Sequence, residues 1–104
     1  MYAAWLYLQR YALTDAINRF TQALRRLTIQ FGVPGKYHET VSWFFLILIS
    51  ERRALAATDS WSAFRRDNVD IFRRDDNILA RYYSSERISS KHARQSFLLP
   101  DKLA

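Results

Sequence analysis

Residues 41–49, Val-Ser-Trp-Phe-Phe-Leu-Ile-Leu-Ile, form an apolar run in which Ser42 is the one polar side chain. Valine and isoleucine favour strands, but the next residues, Ser-Glu-Arg-Arg-Ala-Leu-Ala-Ala at 50–57, are good helix formers. The combined length therefore predicts a helix over about residues 37–57. Because a helix that is apolar on most sides is buried, we expect this segment to be the central helix of a bundle.

Two helices are predicted before this segment. Residues 14–31 repeat apolar side chains at helical spacing, with Thr14 as a suitable N-cap and Gly32 where a helix ends. One apolar stripe and one polar face are typical of an outer helix. Residues 2–10 are apolar almost all round and lack a preceding N-cap residue. Proline and glycine within residues 33–36 suit a type II turn before the central helix.

The last third of the chain predicts short helices. Residues 58–60 are a capping cluster for a helix over 61–66, and 68–75 are expected to form a loop. Asp75 or Asp76 is predicted to cap a helix that runs through residue 82, and Ser89 or Ser90 one over about 91–97. The sequence thus predicts a single all-α domain over residues 1–104, a compact bundle of four to six helices.

Composition excludes several classes of protein. The 104 residues contain no cysteine, which excludes disulfides and thiolate metal sites and favours the reducing cytoplasm. No basic leader is visible at the start of the sequence, and the apolar run is far shorter than the roughly 20 residues of a membrane span. We therefore expect a cytoplasmic chain with no membrane contact.

The charge balance leaves nucleic acid as a weaker possibility. The chain has sixteen basic and ten acidic residues, and the resulting net charge of +6 is spread evenly along it. Arginine pairs can bind RNA or phosphate, but three of the four have acids close by in the sequence, so we expect nucleic-acid binding to be unlikely. The pairs are at residues 25–26, 52–53, 65–66 and 73–74.

The segment Gly-Lys-Tyr-His-Glu-Thr at residues 35–40 is the best candidate for a ligand site. Tyr37, His38, Glu39 and Ser42 lie where a turn meets a buried helix, and His38 and Ser42 share a helix face. His38 suits a general base, a hydrogen-bond donor or a metal ligand. The structural alternative carries more weight, because polar residues at a helix start also satisfy its free N–H groups.

Metal binding has two candidate sites in the sequence. His38 is the only candidate among the histidines, since no second histidine stands at a ligand spacing and His92 suits the surface. A carboxylate site for magnesium is conceivable at four aspartates, but neighbouring arginines favour salt bridges instead. No cofactor is predicted for this chain. The four aspartates are Asp67, Asp70, Asp75 and Asp76.

Several runs together resemble a family of small, uncharacterised bacterial all-helical proteins. The runs lie at residues 4–8, 37–41, 79–84, 93–94, 97 and 100–101, and include Tyr-His-Glu-Thr and Pro-Asp. The resemblance spans essentially the whole chain and implies a fold but no activity. It also implies an upstream F-x-H-x-x-H element that is absent here, so a divalent metal belongs to a longer form in which those histidines join His38. Either the true start lies earlier, or this is a shortened form with a degraded site.

Without that element, apolar surface around the first helix would be uncovered, and such patches attract partners. The sequence therefore favours a small helical binding protein, not an enzyme, that forms a two-fold homodimer through its first helix. The alternatives are a metal- or small-ligand-dependent enzyme at His38 and Glu39, and a nucleic-acid-binding accessory that uses the arginine pairs. The predicted interface residues are Tyr2, Trp5, Leu6 and Tyr7.

Overall fold

The computed structural model of the chain describes residues 1–56 and 59–102, a range that contains helices and no strand. The longer helices are α1 (Tyr2–Arg10), α2 (Leu13–Gln30), α3 (Glu39–Leu55) and α4 (Trp61–Asp67). The short helices are α5 (Val69–Phe72), α6 (Leu79–Tyr82), α7 (Ser85–Ile88) and α8 (Lys91–Gln95). The predicted all-α fold, with short helices in its last third, is confirmed. Within the described ranges, no helix is both long and apolar enough to cross a bilayer.

Helix α3 is the central element, as its composition predicts. It contacts α1, α2 and α8, and its side chains Leu46 and Ile49 are completely buried. Phe44 and Leu48 are nearly so. Because neighbours cover several of its sides, an almost continuous apolar sequence is needed there, which explains why the run at residues 41–49 has so few polar residues.

Helix α1 is covered by its own chain on two sides. Tyr7 packs edge-on against Phe20 of α2, with ring centroids 5.4 Å apart. On the other side, the Trp5 ring lies 4.7 Å from Phe64 and 5.7 Å from Trp61 of α4. This double contact accounts for the nearly all-round apolar composition of α1. As the sequence predicts, no side chain caps its first turn.

The ends of α2 and α3 differ from the prediction. Helix α2 begins at Leu13 with Ala12 at the N-cap, so Thr14 is not the cap. Helix α3 begins at Glu39 because His38 occupies the N-cap, two residues later than predicted. At the other end α3 stops at Leu55, and the predicted final residue 57 lies outside the described ranges.

The turn before α3 is also corrected. A type II turn requires a positive φ at Gly35, but the positive φ of this region belongs to Gly32, at 72°. Residues Pro34–Lys36 instead form one turn of 3₁₀ helix, closed by a 3.0 Å hydrogen bond from the Lys36 N–H to the Val33 carbonyl. Gly32 therefore takes the left-handed position that follows α2, as expected for a glycine at a helix end.

The last third is more helical than predicted. The expected loop at residues 68–75 contains α5, and α7 was not predicted at all. The predicted aspartate cap of α6 is wrong, because Asn77 Oδ1 accepts the Leu79 N–H at 2.9 Å. Ser60 and Ser90 cap α4 and α8 as predicted; residue 58 of the first capping cluster lies outside the described ranges.

Candidate functional site

His38 uses both ring nitrogens within the fold. Its Nδ1 accepts the Val41 N–H at 3.2 Å, which caps the first turn of α3. Since Nδ1 is the acceptor, Nε2 carries the proton and donates to the Ile88 carbonyl of α7 at 2.7 Å. The neutral imidazole thus joins α3 to α7. A metal ion or a proton-abstraction step at His38 would have to break one of these two hydrogen bonds.

Glu39 belongs to a different cluster. Its carboxylate accepts a hydrogen bond from the Tyr37 hydroxyl and forms a 2.6 Å ion pair with Arg25 of α2. The Arg25 guanidinium also lies 5.0 Å from the centre of the Tyr37 ring. Partial burial and the hydrogen bond to Glu39 raise the pKa of Tyr37. The phenol is therefore a hydrogen-bond donor at neutral pH, and the cluster joins α3 to α2.

Ser42 forms no hydrogen bond with the His38 ring, whose nitrogens bond to Val41 and Ile88. Its hydroxyl donates to the His38 backbone carbonyl at 2.8 Å, a carbonyl that also accepts the Ser42 N–H. A serine nucleophile needs a hydrogen bond to its base, and this arrangement does not provide one. The structure therefore joins Tyr37 to Glu39 and Ser42 to the His38 backbone, but the His38 ring and the Glu39 carboxylate have different partners.

Thr40, which the sequence argument did not select, makes the most hydrogen bonds of this segment. The side chain is completely buried, and its Oγ1 lies 2.7 Å from the Ala93 carbonyl and 2.8 Å from the Ser96 carbonyl. The same oxygen accepts the Leu98 N–H at 3.1 Å. Thr40 thus fixes the end of α8 and the following segment to α3. Thr40 stands at the boundary between the polar segment and the apolar run, and no local pattern distinguishes it from its polar neighbours.

The carboxylates offer no alternative metal site. Across residues 1–56 and 59–102, no group of three or more histidine, cysteine, aspartate or glutamate side chains is arranged to hold a metal ion. Asp70, one of the four candidate aspartates, instead forms a bidentate ion pair with Arg52, at 2.9 and 2.7 Å. His92 is exposed, as expected.

The four residues of the predicted α1 interface differ in their exposure. Trp5 is only 1% exposed and lies in the core of its own chain, so it is not available to a partner. Tyr7 is half-buried against α2. Tyr2 and Leu6 remain exposed. Helix α4 occupies the side of α1 that the sequence argument left open.

A second uncovered apolar surface lies at the C-terminal end of α2. Helices α1 and α2 run antiparallel: Tyr7 meets Phe20, while Met1 and Leu24 line the same hollow. Beyond Leu24, α2 therefore has no α1 residues opposite it, and Leu27 is 47% and Phe31 70% exposed. We call Leu24, Leu27 and Phe31 the uncovered stripe. The adjoining hollow has a volume of about 180 Å³ and is also lined by Phe20, Val41 and Phe45.

Only some of the arginines in the four pairs have a partner within the described part of the chain. Several arginines have partners within the chain: Arg25 with Glu39, Arg52 with Asp70, Arg66 with Asp67, and Arg53 with the Leu8 carbonyl. Arg65 and Arg73 form no ion pair within the described part of the chain, and both border a hollow of about 500 Å³ between α4 and α5.

Comparison of the chain with protein-family models, curated proteins and solved structures gives no match. The resemblance to a family with an upstream F-x-H-x-x-H element therefore stays a prediction.

Proposed function

We propose that this protein is a small helical binding module that self-associates as a two-fold homodimer. The uncovered stripe on α2 carries the proposal, because it is the continuation of a buried apolar stripe into solvent. Leu27 and Phe31 follow Phe20 and Leu24 at helical spacing, but their side chains lack the cover that α1 gives to the first half of α2. A second copy supplies the missing cover.

The composition of this surface suits contact between like chains. The stripe carries no charged residue, and the nearby Arg25 is paired with Glu39 inside the chain. In a two-fold contact the same patch meets itself, so each Phe31 can enter the hollow beside Leu24 of the other copy. The exposed Met1 lies at the rim of that hollow. The proposed interface thus moves from the α1 side chains to the boundary between α1 and α2.

An enzyme at His38 and Glu39 is less well supported. The two ring nitrogens of His38 and the carboxylate of Glu39 are held by partners within the chain. A reactive group in an active site needs a free lone pair or proton directed at the substrate. These residues instead suit a structural junction of α2, α3 and α7.

We also propose the cytoplasm as the compartment of this protein. The absence of cysteine supports this location, because small domains in oxidising compartments often depend on disulfides. The core is closed by aromatic and aliphatic contacts instead.

Sedimentation equilibrium over a range of micromolar concentrations tests the dimer. We expect the wild-type chain to dissociate on dilution and the L27Q/F31Q variant to be monomeric with an unchanged helical circular dichroism spectrum. The matched control is Ile29→Gln, because Ile29 is 66% exposed on the same helix but two residues away from each member of the pair, on the opposite side. A wild-type chain that is monomeric at tens of micromolar contradicts the proposal.

A further inference from the structure

An open groove between α4 and α5 brings together aromatic rings and three arginines, of which Arg66 is paired with Asp67. Trp61 and Phe72 border it with Arg65, Arg66 and Arg73, and its volume is about 500 Å³. Small-ligand sites commonly enclose about 300–1,000 Å³. The groove therefore has the size of a site for one or two ring-bearing ligand units.

The aromatic part of the groove is fixed by the core. Trp61 and Phe72 meet edge to face, with ring centroids 5.6 Å apart and planes at 85°. Behind them, the Trp61 ring packs on Trp5 at 5.7 Å and is stacked near Phe64 at 6.3 Å. Because Trp5 and Phe64 are fully buried, the Trp61 ring has a fixed orientation. A planar ligand would find a rigid platform at this site.

Two of the three arginines of the groove, Arg65 and Arg73, form no ion pair with a neighbouring acid in the described part of the chain. Among the residues that the structure describes, no carboxylate lines the groove. Asp70 is held by Arg52 through two hydrogen bonds, and Asp67 pairs with Arg66 at 3.2 Å. Arg65 lies 5.8 Å from the centre of the Phe72 ring, so its guanidinium is next to the aromatic platform. The sequence argued against nucleic-acid binding because acids lie close to the arginine pairs. In the structure, Asp70 pairs with Arg52 and not with Arg65 or Arg73.

We propose that this groove binds the nucleotide unit of single-stranded nucleic acid. A base would stack on the ring of Trp61 or Phe72, and its phosphate would accept hydrogen bonds from Arg65 and Arg73. Unpaired bases are recognised by stacking on aromatic side chains and arginine, with basic residues on the backbone. The net charge of +6 adds a general attraction for polyanions.

The probe is a fluorescein-labelled oligouridylate of twelve nucleotides, followed by anisotropy at low salt. We expect the R65A/R73A variant to bind about tenfold more weakly and to lower the salt slope of log K by about 1.4, since each phosphate contact contributes about 0.7. The control variant R10A/R26A removes the same charge from two exposed arginines with no ion pair in the described ranges. It should change the affinity less than threefold.

A second variant tests the aromatic platform. Phe72→Leu keeps an apolar side chain against Trp61 but removes the ring, so oligouridylate should bind more weakly while inorganic phosphate should compete unchanged. Uridine monophosphate as competitor distinguishes a site for free nucleotides from a site for nucleotides within a strand. If uridine monophosphate competes as well as the unlabelled strand at the same nucleotide concentration, the groove is assigned to free nucleotides. If it competes much more weakly, the groove is assigned to the strand. Both results support a nucleotide site.

Three results overturn the proposal. The first is no binding of the oligonucleotide by the wild-type chain at low salt. The second is an equal loss of affinity in R65A/R73A and R10A/R26A, which would show attraction by net charge alone. The third is equal competition by inorganic phosphate and uridine monophosphate, which would remove any role for the base. The groove shares no residue with the uncovered stripe, so this proposal and the dimer can fail separately.

Discussion

The Thr40 hydroxyl is the most connected polar group at the start of α3. Its oxygen lies within hydrogen-bond distance of the carbonyls of residues 93 and 96 and accepts the N–H of residue 98. Thr40 and Ala93 are completely buried, and the contacts with Ser96 and Leu98 are partly buried, so an unpaired polar group here is costly. The side chain therefore stabilises the fold through the partners that it satisfies, more than through its own burial.

Replacement of this hydroxyl by a methyl group tests the role of Thr40. Thr40→Val keeps the shape of the side chain but leaves the Leu98 N–H without its partner, so we expect a loss of about 1–3 kcal/mol in the free energy of unfolding. Ser42→Ala is the control, because the carbonyl that its hydroxyl contacts also accepts a backbone N–H. Urea denaturation measures both, and equal effects would contradict the assigned role.

Asp70 gives the stability a pH dependence. The hydrogen bond from Arg52 lowers the pKa of the Asp70 carboxyl in the folded chain. A lowered folded pKa contributes stability above the unfolded value of about 3.9, and the contribution is lost as the pH falls through the folded pKa. We expect Asp70→Asn to be less stable than wild type at pH 7 by at most about 1 kcal/mol, since the pair is partly exposed.

The difference between wild type and Asp70→Asn should shrink as the pH falls below about 4. Urea midpoints at pH 7 and pH 3 measure it. Asp67→Asn is the comparison, because the ion pair of Asp67 with Arg66 is far more exposed, and it should show a smaller change. A difference for Asp70→Asn that is the same at both pH values would contradict this explanation.

Among the elements, α3 contributes most to the core. Phe44→Ala and Leu48→Ala each remove a nearly buried side chain, and such changes cost about 2–5 kcal/mol because a cavity remains. Leu55→Ala on the same helix is the control, since Leu55 is 81% exposed. Thermal or urea unfolding of the three variants measures the effect. A near-neutral result for both core variants would mean that α3 is not central.

The helices differ in how far the sequence could predict them. Helix α2 has an apolar period over several turns, which defines both its existence and its buried side. Helix α3 could be predicted from the length of its almost continuous apolar run and the helix formers that follow it. The helices α5 and α7 span a single turn each, too short to show a period. Helix α7 depends on the Ser84 cap and on the contact of Ile88 with His38, a pairing across 50 residues that no local pattern contains.

The same limit applies to the candidate site. The sequence could place Tyr37, His38 and Glu39 at the start of a buried helix, and the structure agrees. It could not show that each side chain already has a partner, because Arg25 and Ile88 come from other helices. Nor could it show that Asp70 turns toward Arg52, away from the nearer arginines. Long-range pairing decides whether a polar residue is free for chemistry.

At the scale of the whole molecule, the two proposals predict opposite effects of salt. A dimer formed by apolar stripes has to bring two chains of net charge +6 together, so screening should strengthen it. Binding of a nucleic-acid strand should weaken with salt. We expect the dimer dissociation constant to fall severalfold between about 50 and 500 mM salt, measured by sedimentation, because the Debye length shortens over this range. A dimer that weakens over the same range would indicate an interface held by ion pairs.

The bonds of Thr40 also bear on how the chain is made. The Thr40 hydroxyl in α3 accepts the Leu98 N–H, which lies 58 residues further along the sequence. Because synthesis runs from the N-terminus, α1, α2 and α3 are made before that partner, and α3 lacks its contact with α8 until then. Since contacts between distant residues form slowly and exposed apolar surface promotes aggregation, the nascent chain is vulnerable until the segment around Leu98 has been made and packed against α3.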